Sequence, residues 1–260
     1  MQHGPGTRYE GACWLNSRLR QCLSTLLTRR DANAASCPDC AMCEEVTEMT
    51  PFPLRPESQA LVVVDMQNDF LRVGAPQEVA EGRDIIPPIS RLIAVFRDQQ
   101  RPVIYTRFLA GPGRTLMTLW SPECGDAERS CWPGHRRRYA DRPHELEGSE
   151  VVDEIMPRPD ELIVDKYGYG AFHNTILRDA LRAQNCDQVV VCGVITQICV
   201  EDTVRQGFHH GLEMVVVHDA VASFDQELHA ATLRNLAMKF AAVVGTKEVV
   251  EQRFSATTDR

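Results

Sequence analysis

The sequence lacks the features that would place the chain in a membrane or on a nucleic acid. No apolar run reaches the roughly 18 residues that a membrane span requires, and no basic segment followed by an apolar one opens the sequence, as it would in a secretory leader. Net positive charge is also missing, because the formal net charge is −8. A surface of that charge repels nucleic acids and anionic lipids. We therefore expect a small-molecule substrate, with no nucleic-acid and no membrane partner.

A dense disulfide framework is missing as well, although the chain contains ten cysteines. Five of them lie within the first 43 residues, and the other five are spread over apparent strands and loops. This spacing differs from that of small secreted domains, whose cysteines are closely and regularly placed. The distribution favours a reducing, cytoplasmic environment.

Residues 1–56 differ in composition from the rest of the chain. They contain six arginines and six acidic residues and no strand-like apolar run, so the net charge of −8 belongs to the remainder. Leucines at helical spacing between arginines, over 15–30, weakly resemble an organelle-targeting presequence. The favoured interpretation is an N-terminal extension that is disordered or partly helical, with Met49 as a second possible start. We expect the globular domain to span 57–260.

The extension also contains a cysteine motif, "CPDCAMC", formed by Cys37, Cys40 and Cys43. Its spacing suits zinc or an iron–sulfur cluster, but no second CxxC or Cys/His pair stands nearby. A structural metal in this tail is therefore the less favoured alternative.

From residue 60 onward, short apolar runs alternate with amphipathic stretches. Continuous apolarity is typical of strands that are buried on both faces of a parallel sheet. The runs are 60–65, 102–106, 161–166, 188–194, 213–219 and 241–245, and the helical stretches are near 84–100, 175–184, 199–211 and 226–239. The alternation predicts a three-layer α/β/α fold with a mostly parallel six-stranded sheet. Residues 107–160 lack a regular pattern, and a segment of that length usually covers a pocket.

Three chemically notable residues follow three of the predicted strands: Asp65, Lys166 and Cys199. Ligands of open parallel sheets bind outside the carboxyl ends of the strands, so these residues should meet at one edge. Each residue alone has a plainer interpretation, since such an Asp usually bonds to local backbone, such a Lys is usually solvated, and such a Cys is usually inert in the core. The combination is what indicates a catalytic site.

The chemistry of the three residues is complementary. With Thr196 as the cap of the following helix, Cys199 would lie in the first helical turn, where the helix dipole and Lys166 lower the pKa of a thiol. Asp65 could accept the thiol proton and later deliver it to a leaving nitrogen. We therefore expect a thiolate nucleophile that attacks a carbonyl carbon.

Three blocks of the sequence resemble the signatures of a known family, the isochorismatase-like cysteine hydrolases. The blocks are "ALVVVDMQNDFL" (60–71), "VDKYGYGAFHNTIL" (164–177) and "CGVITQICVEDTVRQGFHHG" (192–211). The family includes nicotinamidases, N-carbamoylsarcosine amidases and ureidoacrylate amidohydrolases, and the resemblance extends over about 57–250.

This resemblance implies roles for particular residues. Asp65 would be the acid and base, Lys166 its charged partner and Cys199 the nucleophile that forms a thioester intermediate. A cis peptide bond is implied between Val194 and Ile195, and the backbone N–H groups of Ile195 and Cys199 would face the oxyanion. The resemblance also implies a Rossmann-like fold, a homo-oligomer and catalysis without a cofactor.

Departures from the family pattern narrow the chemistry. Metal-dependent nicotinamidases carry an Asp-x-His element after the second strand, where this chain reads "TRFLAGPGRTLMTLW" (106–120). We therefore expect no catalytic metal, and nicotinamide becomes a less favoured substrate. True isochorismatases lack the nucleophilic cysteine, so the presence of Cys199 favours cleavage of a C–N bond.

Candidate pocket residues lie near the strand ends or in the covering segment. They are Phe70, Arg107, Trp120, Tyr169 and Phe172. Arg107 could hold a substrate carboxylate or ureido oxygen bidentately, or it could be an ordinary surface arginine. The basic run at 135–138 is interpreted as a solvated face of the segment rather than a phosphate site.

The sequence thus predicts a cysteine amidohydrolase that cleaves a small amide, carbamoyl or ureido compound. One alternative is a vinyl-ether hydrolase of the isochorismatase type, in which Asp65 protonates the substrate and Cys199 takes no part. Another is a non-catalytic binding module whose cysteine-rich tail binds a metal.

Overall fold

The structure is a computed structural model that describes residues 51–113 and 115–255 of the chain. The leucine-rich segment and the three-cysteine motif lie outside these residues. The division of the chain at residue 56 therefore stays a prediction.

A single parallel sheet organises the described residues. Their strands are β1 (Gln59–Val64), β2 (Val103–Phe108), β3 (Arg136–Arg137), β4 (Leu146–Glu147), β5 (Leu162–Lys166), β6 (Gln188–Val194), β7 (Glu213–Ala222) and β8 (Ala241–Val244). Six of them form the main sheet in the order β5-β2-β1-β6-β7-β8, and every neighbouring pair is parallel. The sheet predicted from the apolar runs is confirmed.

Helices connect the strands and cover the sheet. They are α1 (Asn68–Leu71), α2 (Ile86–Asp98), α3 (Leu116–Trp120), α4 (Leu177–Ala183), α5 (Glu201–His209), α6 (Gln226–Lys239) and α7 (Thr246–Ser255), and a π-helical turn, Thr196–Val200, precedes α5. Single 3₁₀ turns span Pro56–Ser58, Ala80–Arg83, Pro122–Cys124 and Asp153–Ile155. Helix α2 contains two prolines, Pro87 and Pro88, in its first turn, where they are tolerated because the N–H groups of that turn need no helical partner.

The central strand β1 shows why the fold has three layers. Successive side chains of a strand point to opposite faces. Leu61 and Val63 belong to the apolar cluster that includes the buried face of α2, whereas Val62 and Val64 belong to a second cluster with side chains of α4, α5 and α6. Burial of each such side chain stabilises the fold by about 1.5–3 kcal/mol. Both faces of the sheet are therefore covered by helices.

The irregular segment 107–160 is held to the domain by a buried carboxylate. Asp69 of α1 accepts hydrogen bonds from the Tyr139 hydroxyl at 2.7 Å and the Cys131 backbone N–H at 2.7 Å. Its Oδ1 also lies 2.8 Å from Nε of Arg137. The interpretation of 135–138 as a solvated face is therefore wrong for Arg137, because this guanidinium neutralises a buried charge.

Residues at the start of the described chain contact the opposite, amino edge of the sheet. The Arg55 guanidinium lies 2.7 Å from Glu213 and 3.2 Å from Asp187, and the Gln188 side chain donates a 3.0 Å hydrogen bond to the Pro53 carbonyl. These contacts leave the carboxyl edge open. No helix within the described residues is long and apolar enough to cross a membrane.

Candidate active site

The carboxyl edge of the sheet brings Asp65, Lys166 and Cys199 together. Asp65 follows β1, Lys166 ends β5, and Cys199 lies in the π-helical turn after β6. Nζ of Lys166 is 2.7 Å from Oδ2 of Asp65, and the Cys199 thiol is close enough to both side chains for each to act on its pKa. Asp65 and Lys166 are fully buried, and Cys199 is 3% exposed. The three groups therefore form one desolvated cluster.

Asp65 is held in a strained backbone conformation. Its φ is +48°, in the left-handed region that side-chain-bearing residues adopt infrequently. The Thr106 hydroxyl, on the neighbouring strand β2, donates a 2.6 Å hydrogen bond to Oδ1 of Asp65 and accepts one from its backbone N–H at 3.2 Å. One carboxylate oxygen thus faces Thr106, and the other faces Lys166.

The Lys166 ammonium has several polar neighbours. Besides its ion pair with Asp65, it donates a 3.1 Å hydrogen bond to the Gly168 carbonyl and interacts electrostatically with the Cys199 thiol. It also lies 5.3 Å from the centre of the Phe108 ring, where the ring quadrupole attracts a cation. Burial lowers the pKa of Lys166, but Asp65 and Cys199 outweigh this effect and the pKa is raised. The side chain therefore stays protonated at neutral pH.

The expectation that Cys199 rests as a thiolate is wrong. Burial raises the pKa of this thiol far above its ordinary value, and although the Lys166 ammonium acts in the opposite direction, the Asp65 carboxylate adds to the increase. Desolvation disfavours the charged form more than a single shared ammonium can favour it. The resting thiol is therefore neutral, and its proton must leave during any nucleophilic attack.

The turn that carries Cys199 also differs from the prediction. Cys199 lies in the π-helical turn rather than in the first turn of α5, which begins at Glu201. Thr196 does not cap the helix with its side chain, and its hydroxyl is instead 2.9 Å from Nδ1 of His229 on α6. The peptide bond between Val194 and Ile195 is cis. The turn is thus anchored to α6 through Thr196.

A cleft of about 840 Å³ opens next to the turn that carries Cys199. Ile195, Gln197 and Ile198, which precede Cys199 in the sequence, form part of its wall, whereas Asp65, Lys166 and Cys199 themselves do not line it. The remaining lining residues come from the segments after β1, β2, β5 and β7 and from α5, and they are Pro76, Gln77, Glu78, Trp120, Ser121, Glu123, Tyr169, Glu201, Asp202, Arg205 and Phe224. A cavity of this size accommodates a small organic molecule.

The predicted pocket residues fall into two groups. Trp120 and Tyr169 line the cleft. Phe70 is a core residue whose ring centre lies 6.5 Å from that of Phe108, and Phe172 packs in the core on the other face of the sheet, against His210. Arg107 is engaged by two carboxylates, with Nε at 2.8 Å from Asp165 and a terminal nitrogen at 2.5 Å from Glu150. Its guanidinium is therefore occupied before any substrate arrives.

Sequence reasoning missed two groups of this site. Thr106 is the last residue of the apolar run at 102–106, so the rule that selected Asp65 and Lys166 should have selected it as well. Gln67 is the second: its side chain accepts from the Phe108 N–H at 2.7 Å and donates to the carbonyls of Phe108 and Ser149 at 2.9 Å. No sequence pattern distinguishes this glutamine, because its partners are 41 and 82 residues away.

No cluster of three or more His, Cys, Asp or Glu side chains with the geometry of a metal site is found in the described part of the chain. The chemistry available at the edge of the sheet is that of a thiol, a carboxylate, an ammonium and the backbone of the Cys199 turn. These groups suit nucleophilic attack on a polarised carbon together with proton transfer.

Comparison with known proteins assigns the domain to a family. Residues 59–248 match the sequence profile described as "Isochorismatase domain". The chain is 32% identical to phenazine biosynthesis protein PhzD1 of Pseudomonas aeruginosa over 200 residues, which cover 77% of this chain and 88% of that protein. It is 33% identical to nicotinamidase 3 of Arabidopsis thaliana over 193 residues, which cover 71% of this chain and 83% of that protein.

A solved structure shows the same fold. The cysteine hydrolase of Pseudomonas syringae pv. phaseolicola superposes with a TM-score of 0.70 at 30% sequence identity, over 79% of this chain and 96% of that one. The match covers nearly the whole of that protein.

Proposed function

This chain belongs to the isochorismatase family of hydrolases, and we propose that it cleaves the C–N bond of an amide, carbamoyl or ureido compound with Cys199 as the nucleophile. The observation that carries the proposal is the contact of one buried thiol with the Asp65–Lys166 ion pair. A thiol, a carboxylate and an ammonium in contact supply a nucleophile, a base and a counter-charge, which acyl transfer requires. Similarity to a nicotinamidase and to a cysteine hydrolase supports the same chemistry.

In the first half of the proposed reaction, the Cys199 sulfur attacks the substrate carbonyl carbon. Because the resting thiol is neutral, its proton passes to Asp65 during the attack, and Lys166 stabilises the negative charge that develops on sulfur. The carbonyl oxygen becomes an oxyanion, which the backbone N–H groups of Ile195 and Cys199 face in this proposal. The Asp65 proton then passes to the leaving nitrogen, and ammonia or an amine departs from a thioester.

The second half restores the enzyme. A water molecule loses a proton to Asp65 and attacks the thioester carbonyl. The C–S bond breaks, the sulfur recovers the proton from Asp65, and the carboxylic or carbamic acid is released. Asp65 thus acts as acid and base in both halves, with no cofactor in the proposed cycle.

Ammonia release from a panel of aromatic carboxamides, carbamoyl compounds and ureido compounds tests the proposal. Cys199→Ala should lower the rate on any accepted amide by at least about 1,000-fold, because the nucleophile is removed. Cys186→Ala is the matched control, since Cys186 is a buried cysteine just before the amino end of β6. Retention of full activity by Cys199→Ala, or equal losses in both variants, would overturn the assignment of the nucleophile.

The similarity to a probable isochorismatase of Pseudomonas chlororaphis favours a second candidate, the hydrolysis of a vinyl ether by proton transfer from Asp65. Such a reaction needs no nucleophilic sulfur. Cys199→Ala would then keep its activity on the ether, whereas Asp65→Asn would lose it. The homo-oligomer implied by the resemblance stays a prediction, which light scattering of the purified chain can measure.

A further inference from the structure

The cleft beside Cys199 has an unbalanced charge. Among the described residues that line it are four carboxylates, those of Glu78, Glu123, Glu201 and Asp202, and one guanidinium, that of Arg205. The formal charge of this lining is therefore −3, from four negative groups and one positive group. An anionic substrate would enter against this field.

Two arginines at the cleft wall are already paired with carboxylates that line it. Arg205, itself a lining residue, lies 2.7 Å from Glu201, and Arg83 lies 2.8 Å from the lining residue Glu78. Glu123 and Asp202 form no ion pair within the described residues. Capture of a substrate carboxylate would require one of these arginines to leave a partner at 2.8 Å or less.

The cleft wall also carries an uncharged polar side chain, that of Gln197, two residues before the proposed nucleophile. The side-chain nitrogen and oxygen of Gln197 are both buried, and neither has a hydrogen-bond partner in the described structure. A buried amide without partners costs about 1–3 kcal/mol for each group. A second amide can satisfy both atoms at once, because it offers one donor and one acceptor.

Exposed aromatic side chains complete the wall. Trp120 is 82% exposed and Phe224 is 56% exposed, and both line the cleft together with Tyr169 and Ile198. Aromatic and aliphatic surface that is open to solvent favours contact with a flat apolar group, and it attracts cations rather than anions.

We propose that this cleft selects amides that carry no negative charge and have a flat apolar body, and that it rejects amides that carry a carboxylate. The inference rests on the proposed function, because it names the class of substrate that reaches Cys199. In this proposal the carboxylates of Glu123 and Asp202 repel anionic amides. The aromatic wall and the Gln197 amide bind the flat body and the amide group of uncharged ones.

Binding of three probes of nearly equal size tests the inference without turnover. The probes are 4-methylbenzamide, 4-carbamoylbenzoate and 4-(aminomethyl)benzamide, which are neutral, anionic and cationic at pH 7. Calorimetric titration of the full-length Cys199→Ala variant should show the neutral and cationic probes binding at least about ten-fold more tightly than the anion, since each unpaired carboxylate near the ligand repels it. Cys199→Ser provides the same measurement if the alanine variant does not fold.

The charge dependence has its own control. Glu123→Gln and Asp202→Asn should each tighten binding of 4-carbamoylbenzoate about three- to ten-fold and leave 4-methylbenzamide within two-fold, because only the anion interacts strongly with the removed charge. Glu57→Gln should change neither affinity, since Glu57 is an exposed carboxylate at the amino edge of the sheet. Added salt should reduce the difference in affinity between the anionic probe and the other two, because it screens the repulsion.

Two results would overturn the inference: binding of the anion as tight as that of the neutral probe, or no measurable binding of any of the three. The proposed function fails on a different observation, namely the absence of ammonia release by the wild-type chain from every amide in the panel. An enzyme that releases ammonia and prefers 4-carbamoylbenzoate would keep the proposed function and refute the selectivity.

Discussion

Asp65 and Lys166 are two fully buried charged side chains. The free-energy cost of burying them depends on the partners that each one contacts. An unpaired ion in the protein interior is unfavourable by several kcal/mol, and an ion pair with complete hydrogen bonding offsets that cost. Lys166 contacts Asp65, Gly168 and Cys199, and Asp65 also accepts from Thr106. The pair is therefore stable only as a unit, because each side chain is the counter-ion of the other.

Removal of both partners should cost less stability than the sum of the two single removals. Lys166→Met should lower the free energy of unfolding by about 3–5 kcal/mol because it leaves the Asp65 carboxylate buried without a counter-ion. The double variant Lys166→Met/Asp65→Asn should lose less than the sum of the two single variants. Urea unfolding of the four proteins measures this difference, and Lys247→Met, at a lysine side chain that is 78% exposed, should change stability by less than about 0.5 kcal/mol. Strict additivity of the two single effects would contradict the prediction.

At the scale of secondary-structure elements, the contact between β1 and β6 positions Asp65, which follows β1, beside the Cys199 turn, which follows β6. Gly193, near the end of β6, has a φ of +114°. A Cβ atom at this position would lie 2.1 Å from the Val64 carbonyl oxygen. Val64 directly precedes Asp65, and the Cys199 turn begins three residues after Gly193. The glycine thus permits the close approach that places the carboxylate beside the thiol.

Gly193→Ala should separate these two strands. We expect a loss of more than about 3 kcal/mol of stability, because a backbone carbonyl cannot yield to the added methyl group as a side chain could. Activity should fall further than stability alone explains, since Asp65 and Cys199 move apart. Gly74→Ala is the matched control: its φ is +82° and no atom lies within 4 Å of the added Cβ, so only the cost of the backbone conformation, about 1 kcal/mol, remains. Thermal unfolding and ammonia release compare the two variants, and equal losses would refute the steric explanation.

At the scale of the whole molecule, buried thiols link stability to pH. Cys124, Cys131, Cys186, Cys192 and Cys199 are free and buried. Burial raises the pKa of each, to about 11 for Cys124. Unfolded thiols ionise near pH 8.5. Above that pH the unfolded state binds fewer protons than the native state, so the free energy of unfolding decreases as the pH rises.

We expect the protein to lose stability steadily between pH 8.5 and 9.5 in the presence of a reductant. Each buried thiol contributes a slope of up to about 1.4 kcal/mol per pH unit, and Cys192→Ala should reduce the total slope by up to that amount because it removes one thiol from the core of β6. Urea unfolding at several pH values measures the slope. A flat profile over this interval, or identical slopes for the wild type and Cys192→Ala, would contradict the prediction.

The main sheet could be predicted from the sequence because its cause is local. Runs of four to seven apolar residues can be buried on both faces only in a covered parallel sheet, and β6 occupies the same residues, 188–194, as its run. The meeting of Asp65, Lys166 and Cys199 followed from the same rule, since carboxyl ends of parallel strands share an edge. The helices α1, α3 and α7 and the hairpin of β3 and β4 were missed, because packing rather than periodicity stabilises them.

By itself, then, the sequence determined the order of the strands along the chain and the three groups that stand at their ends. Only the tertiary structure decided the protonation of Cys199, the engagement of Arg107 by Asp165 and Glu150, and the attachment of segment 107–160 to Asp69. These properties depend on desolvation and on ion pairs between residues far apart in the chain, such as Asp69 and Tyr139, which are separated by 70 positions. Neither the burial of a residue nor its long-range charge interactions can be predicted from its neighbours in the sequence, because both arise only when the chain folds.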